Sequence, residues 1–225
     1  MIKLVADDGH ELDAYVAIPK GVVLGAVIVL QEIFGVNAHI RSVADGYARE
    51  GYVAIAPALF DRVERGVELR YEGKDMKTAV ALLQKLSPVT ALLDIGAAFK
   101  EARREAAKIA VVGFCYGGFL SWLASTRGKD VRVEPDCCVG YYPGGIGKVA
   151  DEQPLCPVML HFGANDTHIK QDQVESVRAA HPEVEVYVYD GAEHGFNCDA
   201  RASFNLESAK LAGERTSAFL KRHLA

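Results

Sequence analysis

The sequence predicts an α/β protein: a mostly parallel central sheet, helices on both faces, and an antiparallel hairpin at the N-terminal end. Two observations predict it. Short apolar runs rich in Val, Ile and Ala alternate with helix-length stretches, the pattern of strand–helix–strand units. The first eighteen residues break that alternation, because two strand-like runs flank Asp7-Asp8-Gly9-His10 with no room for a helix between them.

The elements follow in order. Ile2–Val5 and Leu12–Ile18 form the hairpin. Gly25–Leu30 is an uninterrupted apolar run, suited to a strand buried on both faces. A helix is expected from about Ala38 to Glu50, with Gly51 as its cap. The strand Tyr52–Ala56 stops at Pro57. Residues 58–73 are charged and weakly periodic, carry Arg62, Arg65, Arg70 and Tyr71, and read as a loop, with a lid over a site as one use for it. From Lys74 to Ala102 helical spacing dominates, broken near Ser87-Pro88. Strands follow at Lys108–Val112, Asp136–Tyr141, Pro157–Phe162 and Val184–Tyr189. Leu206–Leu224 is a closing amphipathic helix. Without repeats, low-complexity tracts or a linker, residues 1–225 read as one domain.

Composition narrows the function classes. Half the residues are hydrophobic and 24% are charged, ordinary for a globular enzyme. A formal charge of -5 argues against a general nucleic-acid binder. Apolar runs are strand-sized, so no membrane partner is expected. The first eight residues lack a basic region followed by an apolar core, so no signal peptide is expected. Five cysteines, an odd number, fit free thiols in a reducing compartment, and the expectation is a cytoplasmic protein. No Cys-x-x-Cys pair is present, which disfavours structural zinc; no cofactor or metal is expected.

The chemistry is carried by Lys108-Ile-Ala-Val-Val-Gly-Phe-Cys115-Tyr-Gly-Gly-Phe119. A β-branched run meets Gly-x-Cys-x-Gly and then an apolar, helix-compatible stretch, Phe119–Ala124. That is a nucleophile elbow with cysteine in the usual serine position. Gly113 and Gly117 leave space for the turn, and the helix N-terminus favours negative charge near the Cys115 sulfur. The plainer alternative is a buried cysteine in a Gly-rich loop.

A cysteine nucleophile needs a base and a group to orient that base. Asp166 stands at the tip of the strand ending near Phe162, and His194 on the loop after the strand ending at Tyr189. The order nucleophile, acid, histidine is that of α/β-hydrolases, and all three fall at carboxyl ends of strands. Each has a plainer role available: Asp166 as the cap of a helix starting near Ile169, His194 as a surface histidine. His161 and His168, with Asp166, offer a metal site as a weaker alternative, since no supporting pattern accompanies them. After the Gly25–Leu30 strand, Gln31-Glu32-Ile33-Phe34-Gly35 lies where such enzymes build half of the oxyanion hole. The Ile33 and Tyr116 backbone N–H groups are the candidate donors. Glu32 at the end of a buried strand is costly without a partner; it either reaches solvent or pairs with an arginine, or it is aimed at the Cys115 sulfur.

These segments resemble the dienelactone hydrolase (carboxymethylenebutenolidase) family of the α/β-hydrolase fold. The matching stretches are Gln31-Glu-Ile-Phe-Gly-Val-Asn-Ala38, Gly113-Phe-Cys-Tyr-Gly-Gly118, Val139-Gly-Tyr-Tyr142, Gly163-Ala-Asn-Asp166 and His194-Gly-Phe196. The resemblance implies a Cys115–His194–Asp166 triad, with Glu32 regulating the thiol. It also implies a resting thiol turned towards that glutamate until substrate arrives, then hydrolysis of an ester or lactone of a small molecule. Phe34, Tyr142, Phe196 and Cys198 are the expected substrate contacts. The chain departs from the family's pattern at two positions. The arginine expected four residues after the histidine is replaced by Cys198, and the one expected before the elbow strand falls near Met76. Both carboxylate anchors look missing, and nothing in the sequence places Arg62, Arg65, Arg70 or Arg201 in the pocket. The expected substrate is therefore a less acidic ester or lactone. Two alternatives stand: a non-catalytic binder of small esters or lactones, and a redox-active thiol protein with Cys198 as the resolving partner. A monomer is expected, with a dimer as the alternative.

Overall fold

A computed structural model describes residues 1–224. Its framework is an eight-stranded sheet: β1 (Ile2–Val5), β2 (Glu11–Ala17), β3 (Gly25–Leu30), β4 (Tyr52–Pro57), β5 (Ile109–Phe114), β6 (Cys137–Tyr141), β7 (Val158–Gly163) and β8 (Glu185–Tyr189). The spatial order is β1-β2-β4-β3-β5-β6-β7-β8. The β1–β2 and β2–β4 pairings are antiparallel, and the others are parallel. Every residue of β3, β4, β5, β6 and β7 is buried, which is why those strands are continuous apolar runs.

Six α-helices accompany the sheet, the last of them after β8: α1 (Ala38–Arg49), α2 (Lys74–Leu83), α3 (Pro88–Glu105), α4 (Tyr116–Arg127), α5 (Gln171–Ala180) and α6 (Leu206–Leu224). Helices α3 and α4 pack on each other and on the middle strands. On the opposite face α1 and α6 approach, and Ser217 Oγ donates to Glu50 at 2.9 Å. Asn37 caps α1 by accepting the Ile40 N–H at 3.2 Å. Pro88 opens α3, where its missing N–H costs nothing. No single described helix is long and apolar enough to cross a membrane.

Several boundaries move from those expected, for tertiary reasons. Strand β5 runs on to Phe114 because Gly113 and Phe114 pair with Gly140 and Tyr141 of β6. Helix α4 starts at Tyr116, directly after the elbow, despite two glycines that disfavour helix. Residues 58–73 contain a short 3-10 turn, Leu59–Arg62, and are hydrogen-bonded to the loop after β3. Leu69 N–H donates to the Phe34 carbonyl at 2.9 Å, and Asn37 Nδ2 donates to the Leu69 carbonyl at 3.1 Å. The β3 loop and residues 67–71 thus form one wall beside the carboxyl ends of the strands.

Candidate active site

Cys115 follows β5 directly, in a backbone conformation (φ 53°, ψ -113°) that side-chain-bearing residues seldom adopt. Such a conformation costs about 1–3 kcal/mol and persists only where the surroundings enforce it. Here the Cys115 N–H donates to the Tyr141 carbonyl at 2.9 Å, and the Gly117 N–H to the Gln31 carbonyl at 3.0 Å. Close approach explains the flanking glycines. A Cβ on Gly113 would lie 1.9 Å from the Gly117 carbonyl oxygen, and one on Gly117 would lie 2.3 Å from that of Leu30. The elbow read from the sequence is therefore present, and it leaves the Cys115 side chain partly exposed.

The acid and the histidine converge on that sulfur. His194 Nε2 lies 3.1 Å from Cys115 Sγ, and His194 Nδ1 lies 2.7 Å from Asp166 Oδ2. The other Asp166 oxygen accepts the backbone N–H groups of His168 (2.7 Å) and Ile169 (3.0 Å). Both roles considered for Asp166 are thus filled at once: one oxygen organises the approach to α5 and the other holds the imidazole. Burial works against charge on Asp166, but hydrogen bonds from His194, His168 and Ile169 prevail and lower its pKa. Burial likewise opposes protonation of His194, but bonds to Asp166 and Cys115 outweigh it and raise its pKa to about 10. The site therefore favours the imidazolium. Ser203 Oγ donates to the His194 carbonyl at 2.8 Å, and the Tyr142 ring lies 5.1 Å from the imidazole.

The sulfur is already engaged by His194, so the resting geometry implied by the resemblance, a thiol turned to the glutamate, is not the one present. Glu32 instead pairs with Arg201: Nη1 donates to Oε1 at 3.2 Å, with the carboxylate 1% and the guanidinium side chain 15% exposed. Glu32 Oε2 is buried and has no hydrogen-bond partner among the described residues. The guanidinium carbon also lies 5.9 Å from the Phe34 ring centre and 5.7 Å from that of Tyr71, within cation–π range.

Arg201 corrects the expectation that no cation reaches the site. Of the four arginines considered, Arg62 is held by Asp94 and Asp8, Arg65 donates to the Glu11 carbonyl, and Arg70 pairs with Asp75. Only Arg201 of these four meets Glu32. Its place seven residues after His194, in the same loop, was the available signal; the family's spacing directed attention to position 198 instead.

Among the described residues, neither the Ile33 nor the Tyr116 N–H is donated to a protein acceptor. Phe34, Tyr142, Phe196 and Cys198 are all buried. The Phe196 ring packs 5.2 Å from Tyr189 and 5.5 Å from Tyr142, so it supports the wall behind His194. Burial and then the Glu32 charge push the Cys198 thiol up to about 11, and the Tyr71 hydroxyl donates to Asn37 Oδ1 at 3.4 Å. His161 is a core residue, with Nδ1 2.8 Å from the Tyr189 hydroxyl and Nε2 3.0 Å from Thr216 Oγ1. Burial lowers its pKa to about 3, so it is neutral and its ring nitrogens are both occupied. A cavity of about 640 Å³ opens beside Arg201, lined also by Asn37, His39, Tyr71, Glu193 and Ser203.

The sequence model of the dienelactone hydrolase family matches residues 12–224. The chain belongs to the dienelactone hydrolase family. A Synechocystis relative, provisionally designated a carboxymethylenebutenolidase, is 32% identical over 98% of this chain and 95% of its own. The carboxymethylenebutenolidase of Pseudomonas putida is 29% identical over 97% of this chain and 94% of its own. A crystal structure from Klebsiella pneumoniae, provisionally designated a dienelactone hydrolase, is 33% identical, superposes with a TM-score of 0.82, and covers 96% of this chain and 95% of its own. A dienelactone hydrolase-like phosphotriesterase from metagenomic libraries shares the fold at 16% identity, with a TM-score of 0.77, over 99% of this chain and 97% of its own. Family and relatives together make this chain an ester or lactone hydrolase of the α/β-hydrolase fold.

Proposed function

We propose that this dienelactone hydrolase family member cleaves a small carboxylic ester or lactone with Cys115 as nucleophile, His194 as base and Asp166 as the group that orients His194. The observation carrying this reading is the unbroken hydrogen-bond chain from Asp166 Oδ2 through His194 to Cys115 Sγ, at 2.7 and 3.1 Å. His194 takes the thiol proton, and the sulfur attacks the carbonyl carbon. The C–O bond to the alcohol breaks, and that oxygen leaves with the proton from His194. Water, deprotonated by His194, then cleaves the thioester and releases the acid. The unoccupied Ile33 and Tyr116 N–H groups are suited to the developing oxyanion, each worth about 3 kcal/mol of transition-state stabilisation.

The substrate is a neutral or weakly acidic ester or lactone. The charge of Arg201 is already offset by Glu32, and in the neighbouring cavity Glu68, Glu72 and Glu193 outnumber Arg70. A carboxylate would have to displace Glu32 from its guanidinium. Glu32 and Arg201 act on the reaction by holding the wall beside the sulfur, so Glu32→Gln lowers turnover without unfolding the chain.

An activated ester tests the nucleophile. Mass spectrometry should find the acyl group on Cys115, and Cys115→Ala should fold, fail to label and lose hydrolysis. Full esterase activity in that variant would remove Cys115 from the mechanism. A matched pair of neutral and anionic lactones tests the substrate class: kcat/KM at least tenfold higher for the anionic one would overturn it.

A further inference from the structure

Beside the cavity, on the side of Arg201, three potential metal ligands meet that the hydrolytic reading leaves unused. His39 lies in the first turn of α1, and Cys198 and Asp199 lie in the loop between His194 and Arg201. One ligand atom from each lies within 4.8 Å of the others. We propose that His39, Cys198 and Asp199 bind a borderline-soft divalent cation of the zinc type. Imidazole, thiolate and carboxylate together suit such an ion, whereas calcium and magnesium prefer oxygen alone.

The His39 side chain is only 7% exposed and its Nδ1 lies 3.2 Å from Asp199 Oδ1, so Nδ1 is the imidazole nitrogen that faces Asp199. Tetrahedral zinc holds its donors about 3.5 Å apart, as its bond lengths require. The His39–Asp199 pair is already that close, and the distances to the Cys198 sulfur, within 4.8 Å, need to close by about 1.3 Å at most. Three protein ligands leave a fourth position for water.

Binding forms the Cys198 sulfur–metal bond and releases the thiol proton to solvent, one per ion. The ion ties the loop carrying His194 and Arg201 to α1, so it acts as a clamp on the segment that meets Glu32.

Cobalt(II) alone is the probe, added to full-length Cys115→Ala protein so that the elbow thiol does not contribute. The expected result is one equivalent bound, with visible bands of four-coordinate cobalt, a near-ultraviolet sulfur-to-cobalt band, and displacement of both by zinc. Adding Cys198→Ser should abolish the sulfur band. Asp199→Asn, an exposed change that leaves folding intact, should weaken binding at least tenfold and serves if the Cys198 variant does not fold. No sulfur band at one equivalent, a band retained without Cys198, or undiminished affinity in Asp199→Asn overturns the site.

Discussion

Replacing Arg201 by methionine isolates the physics of the Glu32–Arg201 pair. Methionine keeps an unbranched apolar side chain beside Phe34 and Tyr71 but removes the charge. Glu32 then loses the single partner of Oε1, while Oε2 already has none among the described residues, so a carboxylate that is 1% exposed is left alone. Breaking a buried pair from one side typically costs about 3–5 kcal/mol, because the remaining charge is stranded. The expected loss at pH 7 is therefore about 3–5 kcal/mol, and urea denaturation measures it. The double variant Glu32→Gln, Arg201→Met should recover most of the loss, since no charge remains to be buried. A single-variant cost below about 1 kcal/mol at pH 7, or a double variant no more stable than Arg201→Met, would refute the claim that Arg201 is what makes Glu32 tolerable there.

The other predictions follow from the same geometry. Asp166→Asn retains an oxygen for the His168 and Ile169 N–H groups and so should fold, but it presents the wrong hydrogen-bonding group to His194. Initial rates should fall by roughly a hundredfold or more, while the melting temperature changes little. Asp166→Ala strands those two N–H groups as well, and its unfolding midpoint should show a further loss of about 2 kcal/mol. The His194 pKa is raised, so its stabilising contribution is complete below the ordinary value near 6.5 and is lost as pH rises through about 10. Stability curves of wild type and His194→Gln should converge across that window; parallel curves would contradict the assignment. The buried Tyr142 hydroxyl has no partner among the described residues, so Tyr142→Phe should unfold within about 0.5 kcal/mol of wild type or be more stable, as judged by urea midpoint.

The fold was legible because it is built from periodic signals. Runs such as Gly25–Leu30 and Tyr52–Ala56 are apolar throughout, as strands buried on both faces must be, and the Gly-x-Cys-x-Gly turn states its own steric requirement. The meeting of Cys115, Asp166 and His194 was legible for a related reason: each sits just beyond a strand, and parallel strands deliver such loops to one edge of a sheet. The partner chosen by Glu32 was not legible. Hydrophobic pattern says that this side chain is buried, but selecting Arg201 over Arg62, Arg65 and Arg70 requires knowing how the loop after β8 folds across the loop after β3. The same applies to His39 beside Cys198 and Asp199, which are about 160 residues apart along the chain. Local sequence determined the strands, the elbow and the order of the reactive groups. Only tertiary packing decided which charged and polar side chains face one another, because such pairs are selected by distance and desolvation in space and leave no periodic trace along the chain.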